Sequence, residues 1–155
     1  MSDDIEAQQF SISEVADAAG CLRVTLDAWR NRNHLFADTV TGTREKKQLS
    51  FIDACVARAV KVLIDDARMN TADAIAVADA EMRLQIQLLL KPHEKFSTLF
   101  GIHKGGRNQD DRLSCYIFDP DGFAEMMAKT NGVMIVFDVS AIIAHVRKAL
   151  KIEAP

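Results

Sequence analysis

Apolar residues recur every three or four positions along most of the chain, the spacing that places them on one face of an α-helix. The helices that this pattern predicts cover residues 13–19, 24–32, 50–68, 71–91, 122–130 and 140–151. We expect Ser13 to cap the first turn of the first helix and Gly20 to end that helix in left-handed geometry. Asp53 follows Ser50 by three positions, which is a comparable start signal for the third helix.

The fourth predicted helix carries the longest apolar stripe of the chain. Its members recur at spacings of three and four and are Ile75, Ala78, Met82, Ile86 and Leu89. Such a stripe is typical of a seam in the core of a single chain, and it is also compatible with a dimer seam. Because Pro92 closes the run, the stripe is short for an independent coiled coil.

Other segments favour β-structure. Residues 39–48 place β-favouring positions around Gly42 before a charged segment, so we predict a small hairpin with a charged second strand. Residues 113–118 and 133–137 are predicted strands that alternate with the last two helices. They would form a small α/β unit, pairing with each other or with a second subunit. Residues 101–112 are predicted to be a linker or exposed loop.

Charge changes this picture in one place. The chain has 155 residues, 48% of them hydrophobic, and a net charge of −3, which suits a packed core and excludes a uniformly basic nucleic-acid coat. Residues 20–48 nevertheless contain six basic and three acidic side chains. This local excess is either an ordinary solvated surface or a nucleic-acid-binding face.

The sequence offers little material for catalysis or metal binding. Its cysteines, Cys21, Cys55 and Cys115, are widely spaced, so neither a disulfide framework nor a zinc site is predicted. The four histidines show no ligand spacing, and no nucleophile–base arrangement is visible. We therefore expect no enzyme activity, no cofactor and no bound metal. The polar N-terminus and the short apolar runs predict a cytoplasmic protein without a membrane partner.

Residues 10–36, FSISEVADAAGCLRVTLDAWRNRNHLF, resemble the DNA-binding domain of the MerR family of transcription regulators. The positions that carry the resemblance are Phe10, Ile12, Glu14, Val15, Ala16, Gly20, Thr25, Leu26, Trp29 and Leu35. The resemblance weakens through residue 79. It departs at Asp27 and Arg30, where the family usually has Arg and Glu, and at Asn33, where it usually has Gly. We expect Asn33 to accept left-handed geometry.

The resemblance covers about half of the chain and implies an N-terminal winged helix-turn-helix. With the elements that the residue pattern predicts after it, the expected fold is mainly α with small β elements, in which the winged helix-turn-helix is followed by a helical connector and a small C-terminal α/β unit. The predicted parts are an acidic flexible tail at 1–9, the DNA-binding domain at 10–80, a connecting helix at 81–100, the linker at 101–112 and a dimerisation or sensing unit at 113–155.

The resemblance also implies which residues contact double-stranded DNA. On the second helix they are Arg23, Thr25, Arg30 and Arg32, and on the hairpin they are Arg44, Lys46 and Lys47. Arginine is suited to guanine or phosphate, and lysines on a hairpin to phosphate. Asp27 is expected to form ion pairs with Arg23 or Arg30, and Trp29 to pack in the core.

The implied function is a sequence-specific DNA-binding regulator of transcription that acts as a homodimer. The second helix would enter the major groove and the hairpin would hold the flanking backbone. Two alternatives stay open. One is an excisionase-like or architectural factor that bends DNA, and the other is a protein-binding module that retains the winged fold. The sequence does not identify a small-molecule effector.

Overall fold

The computed structural model describes residues 9–39, 41–42, 47–104, 113–130 and 133–153. Across these residues the fold is mainly α with two small antiparallel sheets, which confirms the coarse fold class. None of the helices within these ranges is both long and apolar enough to cross a membrane.

The first two helices are joined by a short turn. Helix α1 covers Ile12–Ala19 and helix α2 covers Arg23–Asn33. Gly20 ends α1 with φ of 79°, as predicted. The predicted cap at Ser13 is wrong, because Ser11 accepts the amide of Glu14 while the Glu14 carboxylate accepts the amide of Ser11. This reciprocal capping box moves the start of α1 towards the N-terminus.

The end of α2 also differs from the prediction. Asn33 is the last helical residue, and His34 takes the left-handed conformation with φ of 59°. Phe36 follows with φ of 63°. These two residues with positive φ lie on either side of Leu35, and the side chains of Leu35 and Phe36 are almost fully buried in the core.

The first sheet lies between the N-terminus and the third helix. Its strands are β1 (Gln9–Ser11), β2 (Thr41–Gly42) and β3 (Lys47–Ser50), in the order β1-β3-β2. The pairing of β2 with β3 is the predicted hairpin, whereas β1 was not predicted. Phe10 in β1 pairs with Leu49 in β3, so the strand that directly precedes α1 is joined to the hairpin.

Helix α3 (Phe51–Asp65) is the centre of the core. Ser50 and Asp53 form the predicted capping box at its start. The helix ends before the predicted residue 68, because Arg68 has φ of 56°. Its apolar side chains are buried on nearly every side, with contacts to α1 and to the helices that follow.

The predicted fourth helix is divided by a change of pitch. It begins as α4 (Thr71–Ala76), passes through a π-helical segment (Val77–Met82) and continues as α5 (Arg83–Leu89). Four members of the apolar stripe are buried in the core of the same chain, namely Ile75, Ala78, Met82 and Ile86. The stripe is therefore an intramolecular seam and is not available as a dimer seam.

The second sheet has the order β5-β4-β6 and is antiparallel throughout. Its strands are β4 (Leu99–Lys104), β5 (Leu113–Ile117) and β6 (Ile135–Asp138). Residues 101–104 of β4 were predicted to begin the linker, and residues 99–100 to end the connecting helix, so both parts of the prediction are wrong there. Residues 105–112, the rest of the predicted linker, lie outside the described residues. The strands β5 and β6 do not pair with each other, because β4 lies between them.

Two helices complete the chain. Helix α6 (Phe123–Lys129) follows a 3₁₀ turn (Pro120–Gly122), and α7 (Val139–Ala149) follows β6 directly. The predicted buried side of α7 is confirmed for Ile142, Ile143 and Val146. These side chains share one hydrophobic core with α1 and α3. The C-terminal segment thus contributes to the packing of the N-terminal helices.

Candidate functional site

A groove of about 640 Å³ runs between α2 and the first sheet. It is lined by Gln9, Ser11, Ile12, Ser13, Glu14, Arg23, Asp27, Arg30, Asn31, Lys47 and Gln48. Three of these side chains are basic and two are acidic, so the groove carries a small positive excess. Arg23 and Arg30 of α2 and Lys47 of β3 come together there, which makes the groove the candidate site.

The four predicted contact residues of α2 lie on two different edges of the helix. At 3.6 residues per turn, Arg23 and Arg30 project on the same edge as Asp27, towards the groove. Thr25 and Arg32 project on the opposite edge. Thr25 lines a separate depression with Asp17 and Lys61, and Arg32 is exposed to solvent. The groove therefore contains only two of the four residues.

The predicted role of Asp27 as an ion-pair partner is confirmed. Its carboxylate accepts a hydrogen bond from Nη1 of Arg30 at 3.0 Å and lies 3.7 Å from Nε of Arg23. The side chain of Arg30 is only 9% exposed, whereas that of Arg23 is 65% exposed. Arg23 also donates to the hydroxyl of Ser13 at 3.2 Å. Arg30 is thus held against the protein by its ion pair with Asp27. Arg23 is the more accessible of the two arginines to a ligand in the groove.

Trp29 packs in the core, as predicted, with 6% of its surface exposed. Together with the fully buried Leu26 it fixes the inward face of α2. Burial of these two side chains determines which face of α2 is presented to the groove and to solvent.

A buried carboxylate anchors both ends of the hairpin. Asp53 in α3 accepts hydrogen bonds from the Thr39 hydroxyl at 2.8 Å and from the Ser50 amide at 2.9 Å. Thr39 precedes β2 and Ser50 ends β3, so one side chain holds the entry to the hairpin and its exit. This anchor fixes the position of Lys47, which is exposed at the start of β3.

Two of the predicted hairpin contacts, Arg44 and Lys46, lie outside the described residues. The groove also contains residues that the sequence did not predict as contact residues. Gln9 and Gln48 come to it from β1 and β3, and Glu14 comes from α1. Only the alternation of polar and apolar residues in 9–11 pointed to β1, and three residues are too few for a strand prediction.

The cysteines offer no activated thiol. Burial raises the pKa of each of the three thiols, and that of Cys115 is raised to about 11. All three remain protonated near neutral pH, in which form a thiol is a poor nucleophile. Among the residues with described positions, no three of His, Cys, Asp and Glu are grouped so that they could hold a metal ion.

Comparison with known proteins does not assign the chain to a family. No protein-family model matches the sequence, and no match to a curated protein was found. The residues of the groove and the surrounding surfaces are therefore the basis for assigning a function.

Proposed function

We propose that the chain is a sequence-specific DNA-binding regulator of transcription that acts as a dimer, and that α2 enters the major groove of DNA. The observation that supports this best is the groove between α2 and the hairpin. There an exposed arginine, Arg23, and an exposed lysine, Lys47, lie on separate elements around one concave surface. α1, the turn at Gly20 and α2 would form the helix-turn-helix, and β2 and β3 would form its wing, as in the MerR family.

The first turn of α2 supports a phosphate contact. Its N-cap position is Leu22, which makes no side-chain cap within the described chain. The amide groups at this end of α2 carry the positive end of the helix dipole and can donate to a DNA phosphate. Arg23 begins the same turn, so a phosphate there would receive both charge and hydrogen bonds.

The two arginines of the groove would have different roles in DNA binding. Arg23 would contact phosphate or base directly, because most of its side chain is exposed. Arg30 would act through Asp27, since it is nearly buried in an ion pair with that carboxylate. Arg32, on the opposite edge of α2, would contact the other wall of the major groove, and Lys47 would contact the flanking backbone.

A dimer is part of this proposal because one winged unit contacts too few base pairs to select a single site in a genome. β6 is an edge strand of the described second sheet, and Ile135 and Val136 are 41% and 39% exposed on it. A second copy of the chain would cover this edge by strand pairing. Two half-sites related by a two-fold axis would follow.

One observation favours a different function. Leu22, the N-cap residue, and Val24, in the first turn of α2, are 72% and 70% exposed, and exposed apolar side chains near one helix end suit a protein partner. In that case the winged fold would serve as a protein-binding module. No catalytic activity is proposed in either case.

Binding-site selection with the full-length chain tests the proposal. A random duplex library is incubated with purified protein at near-physiological salt, and bound DNA is recovered and sequenced over several rounds. We expect one consensus with two related half-sites. Binding that remains unselective through all rounds would contradict a sequence-specific regulator and would leave the protein-binding module as the better explanation.

A further inference from the structure

The outward face of α2 carries a stripe of uncharged residues between its two charged edges. Val24, Ala28 and Asn31 follow each other at spacings of four and three, so they lie in one line along the helix. Val24 is 70% exposed and Asn31 is also exposed. This line lies opposite the buried side chains of Leu26 and Trp29, and it separates the two charged edges of the helix.

The edge beside this stripe is already engaged within the protein. Asp27 holds Arg30 at 3.0 Å and approaches Arg23 at 3.7 Å. A bidentate contact from Arg30 to guanine would require this nearly buried side chain to leave its ion pair with Asp27 first. The side-chain amide of Asn31, by contrast, makes no hydrogen bond with any described residue. It is therefore the polar group of the outward face that is ready to pair with a base.

We infer that this stripe reads A·T base pairs. The inference rests on the proposed function, because it assumes that α2 enters the major groove. An asparagine amide matches adenine, whose N7 accepts a hydrogen bond from Nδ2 while its N6 amino group donates to Oδ1. An apolar side chain such as Val24 matches the methyl group of thymine. Ala28 is small and lets the DNA approach the helix closely.

The spacing of the stripe makes the inference more specific. Val24 and Asn31 are seven residues apart, which is about 10 Å along a helix that rises 1.5 Å per residue. Base pairs follow each other every 3.4 Å or so. Because this separation exceeds the spacing of neighbouring base pairs, the thymine that meets Val24 and the adenine that meets Asn31 should belong to different base pairs of one half-site.

The test uses the full-length chain and the DNA consensus that it selects. Site selection is repeated with Asn31→Ala and Val24→Ala, and with Gln87→Ala as a control at an exposed position of α5, outside the groove. Circular dichroism verifies that each variant is folded. A second arm replaces the preferred thymine by uracil, which removes only the methyl group.

We expect Asn31→Ala to lose its preference for one adenine, with a decrease in base discrimination of roughly 5- to 150-fold. Uracil should weaken binding of the unaltered chain by about fourfold and leave Val24→Ala unaffected. Gln87→Ala should select the original consensus. If Asn31→Ala and Val24→Ala keep every base preference of the unaltered chain, the inference is overturned while the proposed function stands. If the unaltered chain selects no consensus, both fail.

Discussion

The guanidinium of Arg83 lies 2.8 Å from the carboxylate of Asp53, in an ion pair whose acidic side chain is fully buried. Arg83 also lies 2.7 Å from Asp79, and its guanidinium is 5.9 Å from the centre of the Phe36 ring. Asp79 in turn accepts the backbone amide of Phe36. This network joins α5 to the segment after α2 and to the anchor of the hairpin, so it supports both walls of the candidate groove.

Removal of Arg83 should destabilise the fold strongly. Arg83→Ala leaves the carboxylate of Asp53 buried without its cation, and breaking a buried pair in this way costs about 3–5 kcal/mol. Lys61→Ala is the matched control, because it removes a surface pair with Asp65 and should cost less than about 1 kcal/mol. Urea denaturation of both variants measures the difference. Equal losses would contradict the structural importance of the Arg83 pair.

Trp29→Ala should lower the free energy of unfolding by about 3–5 kcal/mol, since it leaves a large cavity beneath α2. Thermal unfolding followed by circular dichroism measures the loss. A variant that keeps normal stability but no longer binds DNA would show that the indole faces the nucleic acid instead of the core. Trp29→Phe serves as the control and should recover most of the lost stability.

Lys47→Ala should weaken specific and nonspecific DNA binding alike, because a lysine on a phosphate holds the backbone without reading sequence. The slope of log affinity against log salt concentration should become shallower by about 1. Lys95→Ala removes the same charge from an exposed position away from the groove, and its slope should stay unchanged. Fluorescence anisotropy over a salt series gives both slopes. Identical slopes for the two variants would remove the hairpin from the interface.

The Ser11–Glu14 capping box predicts a dependence of stability on pH. Hydrogen bonds from Ser11 lower the pKa of Glu14 below its ordinary value of 4.5. Its contribution is therefore present above pH 4.5 and is lost as the pH falls through the lowered pKa. Ser11→Ala should cost about 1 kcal/mol at neutral pH, and Glu14→Gln should flatten the profile below pH 4.5. Urea titrations at several pH values test this, and an unchanged profile for Glu14→Gln would contradict it.

Val136→Lys should convert the proposed dimer into a monomer, because a charge on the β6 edge opposes strand pairing. Light scattering at several protein concentrations measures the mass. Leu84→Lys, at an exposed position of α5 that is 53% exposed, should leave the dimer intact. If the unaltered chain is a monomer, the mechanism with two half-sites is wrong.

The helices could be predicted from the sequence because their signals are local. Gly20, Ser50 and the apolar spacing of α3 and α7 act within a few residues of where they occur. Strand β4 could not be predicted, since Gly101 and the charged residues after it are typical of a loop. Gly101 lies in β4 through its pairing with β5 and β6, and glycine fits there because the sulfur of Met134 occupies the space next to it, where a Cβ would approach within 2.5 Å. That packing joins residues far apart in the sequence.

The candidate site shows the same division. The basic excess of residues 20–48 was visible in the sequence, and so was the pairing of Asp27 with its neighbours. The burial of Arg30 was not, because it depends on how α2 packs against α1 and α4. The sequence prediction also grouped Thr25 and Arg32 with Arg23 on one DNA-contacting face. In α2, Thr25 and Arg32 lie on the edge opposite to Arg23.

DNA binding by α2 and the hairpin is tested most directly by locating the DNA on the protein. Amide signals of the full-length, ¹⁵N-labelled chain are followed by NMR while the selected duplex is added at near-physiological salt. We predict that the largest changes fall on residues 22–32 and on Lys47 and Gln48, around the groove. Changes confined to the second sheet, or none at saturating DNA, would contradict the proposal that α2 and the hairpin form a DNA-binding surface.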